Sequence, residues 1–63
     1  MKGQDKRYGI YSYSESEIPG GVMFWNNRTG WNGYTAATRF TREEKRRLNL
    51  PMSKGNDAAW FEF

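Results

Sequence analysis

Four basic residues of this 63-residue chain are spaced for a shared binding surface: Arg39, Arg42, Lys45 and Arg46. The last three recur at i, i+3 and i+4, which places side chains on one face of a helix. Residues 39–47 hold five cations and two acids, which equals the whole net charge of +3. This basic patch suits phosphates or an acidic protein surface. The alternative is a solvated helix face neutralised by the neighbouring acids, because charged helix faces are common.

A second set of residues combines aromatic rings with one arginine: Trp25, Arg28, Trp31, Tyr34 and Trp60. Exposed rings of this kind stack on the bases of single-stranded nucleic acid, at about 1–3 kcal/mol per base. They also anchor protein interfaces, where Trp, Tyr and Arg are enriched at the residues that matter most. The alternative is that these rings form the core, since the chain has only two Leu, two Ile and one Val.

The residue types that most enzyme chemistry needs are missing. The sequence contains no His and no Cys, which removes the commonest general base, the commonest metal ligand and any thiolate. Gly20-Gly21 precedes a predicted strand, so it lacks the strand–turn–helix context of a phosphate-binding loop. A ribonuclease built from Arg, Lys, Tyr and Glu would need a converging base, and the sequence identifies none. We therefore expect no enzymatic activity, no cofactor and no metal.

The clearest structural signal is the segment Thr41-Arg42-Glu43-Glu44. It is typical of a capping box, in which Thr41 and Glu44 exchange side-chain-to-backbone hydrogen bonds at a helix start. Pro51 cannot continue the helix and biases the residue before it away from helical geometry, so the sequence predicts one helix over 42–49. A two-turn helix is not stable alone in water. Three apolar residues are expected to anchor it: Phe40, Leu48 and Leu50.

Alternating and aromatic residues predict strands over 7–13, 22–25 and 58–63, with a short third strand that opens at Trp31. Residues 26–30 read as a hairpin loop with Gly or Asn at positive φ, which sets Trp25 opposite Trp31. A competing register has a two-residue turn at Asn32-Gly33; we favour the first, because the second crowds Trp31 and Tyr34. Residues 34–40 are predicted to be extended or a short strand.

These elements predict a single α+β domain over 1–63, with a small antiparallel sheet of three or four strands and one short helix in the order β-β-β-α-β. Residues 1–6 are expected to be flexible. A chain of this size buries only about 60% of its unfolded surface, so some of the eleven aromatic residues should stay exposed. Either a monomer that keeps this surface for a target or a homodimer that covers it fits the sequence.

Localisation is predicted from what the sequence lacks. Residues 1–7 contain no apolar segment typical of a secretory signal, and no apolar run approaches the roughly 20 residues of a membrane span. We therefore expect a cytoplasmic protein with no membrane partner.

Residues 30–63 combine several short motifs. Gly-Trp is followed by Ala-Thr-Arg-Phe-Thr-Arg-Glu-Glu at 37–44, Leu-Asn-Leu-Pro at 48–51 and Trp-Phe-Glu-Phe at 60–63. This pattern resembles small phage and prophage accessory proteins, in which a tryptophan hairpin leads to an Ala-x-x-Phe-Thr-x-Glu-Glu junction and a closing aromatic strand. The resemblance implies an inhibitor or regulator that binds a host or defence protein, anti-CRISPR proteins being one such class. It carries over no functional residue.

Two functions are therefore expected. The leading one is a non-catalytic protein-binding module, phage-encoded as the resemblance implies, that inhibits or modulates a host or defence protein in the host cytoplasm by occluding its surface. The alternative is a single-stranded DNA- or RNA-binding protein that uses the basic helix and the aromatic hairpin.

Overall fold

The computed structural model describes residues 6–63. Of residues 1–6, which the sequence predicts to be flexible, 1–5 lie outside this range. Within it, one four-stranded antiparallel sheet has the spatial order β3-β2-β1-β4. Its strands are β1 (Tyr8–Ser12), β2 (Met23–Asn26), β3 (Gly30–Asn32) and β4 (Ala59–Glu62), and one α-helix, α1 (Arg42–Arg47), lies between β3 and β4 in the chain. The predicted α+β class and the order β-β-β-α-β are confirmed.

The β2–β3 hairpin has the register that the sequence favoured. Trp25 pairs with Trp31, and Asn26 pairs with Gly30 across a turn of residues 27–29. Gly30 has φ +89, so glycine supplies the positive φ that the turn needs. The Asn26 side chain accepts hydrogen bonds from the N–H groups of Arg28 (2.8 Å) and Thr29 (3.0 Å), which closes the turn. The competing turn at Asn32-Gly33 does not form.

The segment after β3 differs from the prediction. Tyr34–Ala36 forms a short 3-10 helix instead of extended chain, and only the rest of 34–40 is extended. The reason is local bonding to β2: the Asn26 side chain donates to Ala36 O at 2.6 Å, and Thr38 N–H donates to Trp25 O at 2.9 Å. These bonds pull the chain back against β2 before it reaches β1. There Phe40 forms an isolated antiparallel bridge with Tyr8.

The helix begins as predicted and ends early. Thr41 accepts from Glu44 N–H at 3.1 Å, and the Glu44 side chain accepts from Thr41 N–H at 2.8 Å, which completes the capping box. Leu48 is already extended, so the helix ends at Arg47 instead of residue 49. Phe40 is 2% exposed and anchors the helix start, whereas Leu48 and Leu50 are 44% and 42% exposed. The prediction that both leucines anchor the helix is therefore wrong.

Strand alternation divides the aromatic residues between the two sides of the sheet. The side against α1, called the helix-side face, has five of them: Tyr8, Trp25, Trp31, Phe40 and Trp60. The largest fully buried side chains of the described chain, those of Phe40, Ile10 and Ser12, also belong to this face. The opposite side, called the aromatic face, has six: Tyr11, Tyr13, Phe24, Tyr34, Phe61 and Phe63.

Candidate functional site

The aromatic face is a continuous group of rings, most of which meet edge to face. The Phe24 ring lies 5.5 Å from Phe61 and 5.2 Å from Tyr34, measured between centroids. Phe61 lies 5.9 Å from Tyr11 and 4.8 Å from Phe63. Such pairs stabilise a cluster by about 0.5–1.5 kcal/mol each beyond the area they bury. The rings therefore hold one another in place on a short sheet that has few aliphatic residues.

This cluster stays open to solvent. None of its six rings is fully buried, and the two at its margins, Tyr13 and Tyr34, are 61% and 52% exposed. Tyr13 packs against Tyr11 at 5.5 Å, and Tyr34 packs against Phe63 at 5.7 Å. A contiguous apolar surface of this kind is typical of a binding site.

Arg39 gives the aromatic face its charge. Its guanidinium lies 4.1 Å from the centroid of the Phe63 ring, within the range of a cation–π contact. Arg39 is exposed, so its donors stay available to a partner. No strand residue in the described chain directs a carboxylate to this face, because Glu62, the acid of β4, lies on the helix-side face beside Lys6 at 3.5 Å. The aromatic face is therefore apolar with a positive margin.

The predicted aromatic set is divided between the two faces. Trp25 and Trp31 lie 5.2 Å apart on the helix-side face, where Trp31 Nε1–H donates to Met52 O at 3.2 Å. Trp60 lies 5.4 Å from Phe40 on the same face. Tyr34 alone lies on the aromatic face. The three tryptophans are half-buried, so they mainly hold the helix and the loop after it against the sheet.

Arg28, the cation of that set, lies in the exposed turn between β2 and β3. Its backbone N–H is used to close the turn, and its side chain is free to extend into solvent. It belongs to neither group of rings.

The basic patch is also divided. Lys45 points at the sheet, with Nζ 5.4 Å from the Tyr8 ring centroid and 5.7 Å from that of Trp60. Arg42 and Arg46 are exposed on the helix. Arg39 lies on the other face, because Phe40 enters the core and adjacent residues of extended chain alternate in direction. Of the three helical positions, Arg42 and Arg46 stay exposed and Lys45 is turned to the sheet. The extended chain before the cap separates Arg39 from all three.

A polar cluster around Asp57 was not found from the sequence. The Asp57 carboxylate accepts from the hydroxyls of Ser12, Ser14 (2.7 Å) and Ser53 (3.0 Å) and from the backbone N–H groups of Tyr13 (3.1 Å) and Ser14 (3.0 Å). The Ser12 and Ser14 hydrogen bonds hold the pKa of Asp57 well below its usual range, although partial desolvation opposes them. Four of the five donors lie more than 40 residues away in sequence, so no local motif marks them. The cluster ties the end of β1 to the loop before β4.

No group of three His, Cys, Asp or Glu residues within 6–63 is placed to hold a metal ion. The same residues include no helix that could span a membrane. No protein family, no curated protein and no solved structure matches this sequence. The resemblance to phage accessory proteins therefore stays a prediction.

Proposed function

We propose that this protein is a small non-catalytic binding module that docks its aromatic face on a partner protein. The observation that carries the proposal is the open cluster of six rings, with Tyr13 61% and Tyr34 52% exposed. Tyr and Arg are enriched among the residues that dominate interface energies, and rigid rings lose little conformational entropy on binding. The site has one guanidinium and no strand carboxylate. Its partner therefore presents an apolar patch with an acidic margin.

The proposed mode of action is occlusion. A 7.4 kDa chain can alter a larger protein by covering a surface that this protein needs. The pattern of motifs in residues 30–63 resembles that of phage accessory proteins. It therefore favours a host or defence protein in the host cytoplasm as the target. Phage inhibitors of the kind that this pattern resembles, anti-CRISPR proteins among them, would act in this way.

Capture of binding proteins from nuclease-treated lysate tests the proposal when the wild type is compared with surface variants. The double variant Tyr13→Ser/Tyr34→Ser removes the two most exposed rings of the aromatic face. The matched control, Arg42→Ser/Arg46→Ser, removes two exposed side chains of the helix. We expect a protein captured by the wild type and by the control to be lost with the tyrosine variant, and to bind the purified wild type at a defined ratio. Capture that is equal for the wild type and both variants, or that reconstitution from purified proteins does not reproduce, contradicts the proposal.

Single-stranded DNA or RNA is the second candidate, and the Arg39–Phe63 contact favours it. Rings on an open sheet face with an arginine among them are also the elements of a base-stacking platform. Fluorescence anisotropy with short oligonucleotides tests this candidate. The affinity should fall with salt at a log–log slope of about −0.7 for each phosphate contact, and Arg39→Gln should reduce that slope. Oligonucleotides that do not bind at low salt exclude it.

A further inference from the structure

β4 lies at one side of the sheet and is paired along only one of its two edges. Phe63 N–H donates to Arg7 O at 2.9 Å, and the ladder continues through the pair Gly9 and Phe61. Successive residues of a strand direct their backbone groups to opposite edges. Trp60 and Glu62 therefore direct their N–H and C=O groups away from β1, where no described segment pairs with them.

This open edge has few of the features that usually prevent pairing. Protected edge strands carry proline, lysine or a bulge, or are covered by another segment. β4 reads Ala-Trp-Phe-Glu and has neither proline nor lysine, and its ladder with β1 runs without interruption from Tyr8↔Glu62 to Tyr11↔Ala59. Its one charge is Glu62. We infer that a second copy of this chain pairs with β4 along this edge, about a two-fold axis at Phe61.

The register follows from the groups that are free. An antiparallel pair centred on Phe61 sets Trp60 opposite the partner's Glu62, and Glu62 opposite the partner's Trp60. Trp60 and the partner's Glu62 then form a hydrogen-bonded pair, in which each residue donates its N–H to the C=O of the other. The pairing therefore satisfies all the outward backbone groups of Trp60 and Glu62 with residues of β4 alone. Phe61 faces its own copy at the axis, at the closer spacing of a non-hydrogen-bonded pair.

Charge complementarity supports a second copy as the occupant. Lys45 Nζ lies 5.7 Å from the centroid of the Trp60 ring, and Lys45 forms no ion pair within 4 Å in the described chain, where the one such pair is Lys6 with Glu62. In the proposed register the partner's Glu62 lies beside Trp60 on the helix-side face, next to this ammonium. The symmetry repeats the contact, so each Lys45 gains a carboxylate. A strand of unrelated sequence would not in general carry an acidic residue at the position next to Lys45.

The pairing joins two sheets into one sheet of eight strands and leaves both aromatic faces free. A two-fold axis normal to the sheet leaves the aromatic faces of both copies on the same side of the joined sheet. The two aromatic faces therefore become neighbours across the axis. This inference is separate from the proposed function, since it uses the edge of β4 and the helix-side face and not Tyr13 or Tyr34. The dimer would present two binding surfaces to one partner.

Sedimentation equilibrium and amide exchange on the full chain test the inference. From micromolar to millimolar concentration, the mass should rise from 7.4 kDa toward twice that value. Over the same range, exchange of the Trp60 and Glu62 amides should slow. The Phe61 amide, which faces β1, should be protected throughout. A single-chain mass at millimolar concentration, with Trp60 and Glu62 exchange independent of concentration, overturns the inference.

Variants at the edge separate this dimer from other forms of association. Glu62→Pro removes an outward N–H without removing a bond to β1 and should weaken the dimer at least about tenfold, whereas Glu62→Thr keeps that N–H and should weaken it less. Lys45→Glu and Glu62→Lys should each weaken the dimer severalfold, and the double variant should restore it. This rescue remains informative if Glu62→Pro fails to fold. A dimer that none of these changes affects also overturns the inference.

Discussion

The ring of Phe61 lies over Gly9 in the paired strand, so that a Cβ built at Gly9 would meet two of the ring carbons at 2.6 Å. Phe63 also approaches this position, at 2.8 Å. The absence of a side chain at Gly9 is what allows both rings to lie inward over the sheet. Gly9→Ala should therefore destabilise the fold by about 1–3 kcal/mol through overpacking, measured by urea denaturation with tryptophan fluorescence.

Gly33→Ala is the matched control for Gly9. A Cβ at Gly33 would meet nothing within 4 Å, and its φ of −75 is open to any residue. This change should be neutral or stabilising by up to about 1 kcal/mol, because alanine restricts the unfolded chain. Equal effects of the two substitutions would show that the Phe61 and Phe63 rings do not pack as described.

The capping box predicts a second stability difference. Thr41→Ala removes the hydroxyl that accepts from Glu44 N–H at 3.1 Å and should cost about 1 kcal/mol. Thr41→Ser should keep most of that stability. Thr35→Ala is the control, since Thr35 is exposed and its side chain forms no hydrogen bond in the described chain. If the Thr41 and Thr35 substitutions shift the urea midpoint equally, the cap does not stabilise the helix.

The hairpin turn predicts a difference between two substitutions at one site. Gly30 has φ +89, and a Cβ there would meet nothing within 4 Å. The cost of Gly30→Ala is therefore conformational and should be about 1–2 kcal/mol. Gly30→Asn should cost less, because asparagine adopts positive φ more readily. A thermal melt that ranks alanine above asparagine would contradict the assigned turn.

Local chemistry accounts for the parts of the fold that the sequence predicted well. The Thr41–Glu44 box lies within four residues and needs no distant partner, so the helix start was predicted to the residue. The pairing of Trp25 with Trp31 followed from turn chemistry in the same way. The predicted end of the helix was wrong because the conformation of Leu48 depends on whether a neighbouring surface can bury its side chain. Helix propensity carries no information about that surface.

The candidate site was predicted only in part, for reasons of topology. The sequence grouped Tyr34 with three tryptophans, but a 3-10 turn after β3 sends Tyr34 to the opposite face. Arg39 was grouped with the helix, yet strand alternation before the cap sends it to Phe63. Both separations arise where one element changes to another. At such a junction the side-chain period changes between that of a strand and that of a helix. A single period therefore cannot predict on which side of the sheet a residue lies.

The Asp57 cluster predicts a loss of stability on substitution. Asp57→Asn keeps the size of the side chain but removes its charge and one acceptor oxygen. Oδ1 accepts from the Ser12 and Ser14 hydroxyls, and Oδ2 accepts from the Ser14 N–H. The new amide would either face the backbone N–H groups or require the serine hydroxyls to turn and accept from it, with the charge-assisted hydrogen bonds lost in both cases. We expect a lower urea midpoint at pH 7. Glu17→Gln, at an exposed loop position, is the control and should leave the midpoint unchanged.

The same carboxylate predicts how stability depends on pH. Hydrogen bonds from Ser12 and Ser14 lower the pKa of Asp57 in the folded protein, whereas an unfolded Asp has a pKa of about 3.9. A lowered folded pKa contributes stability that is complete above the unfolded value and is lost as pH falls toward the folded one. The midpoints of the wild type and Asp57→Asn should therefore differ most above about pH 5 and converge toward about pH 2. A difference that stays constant over that range would show that the Asp57 charge is not what the serines stabilise.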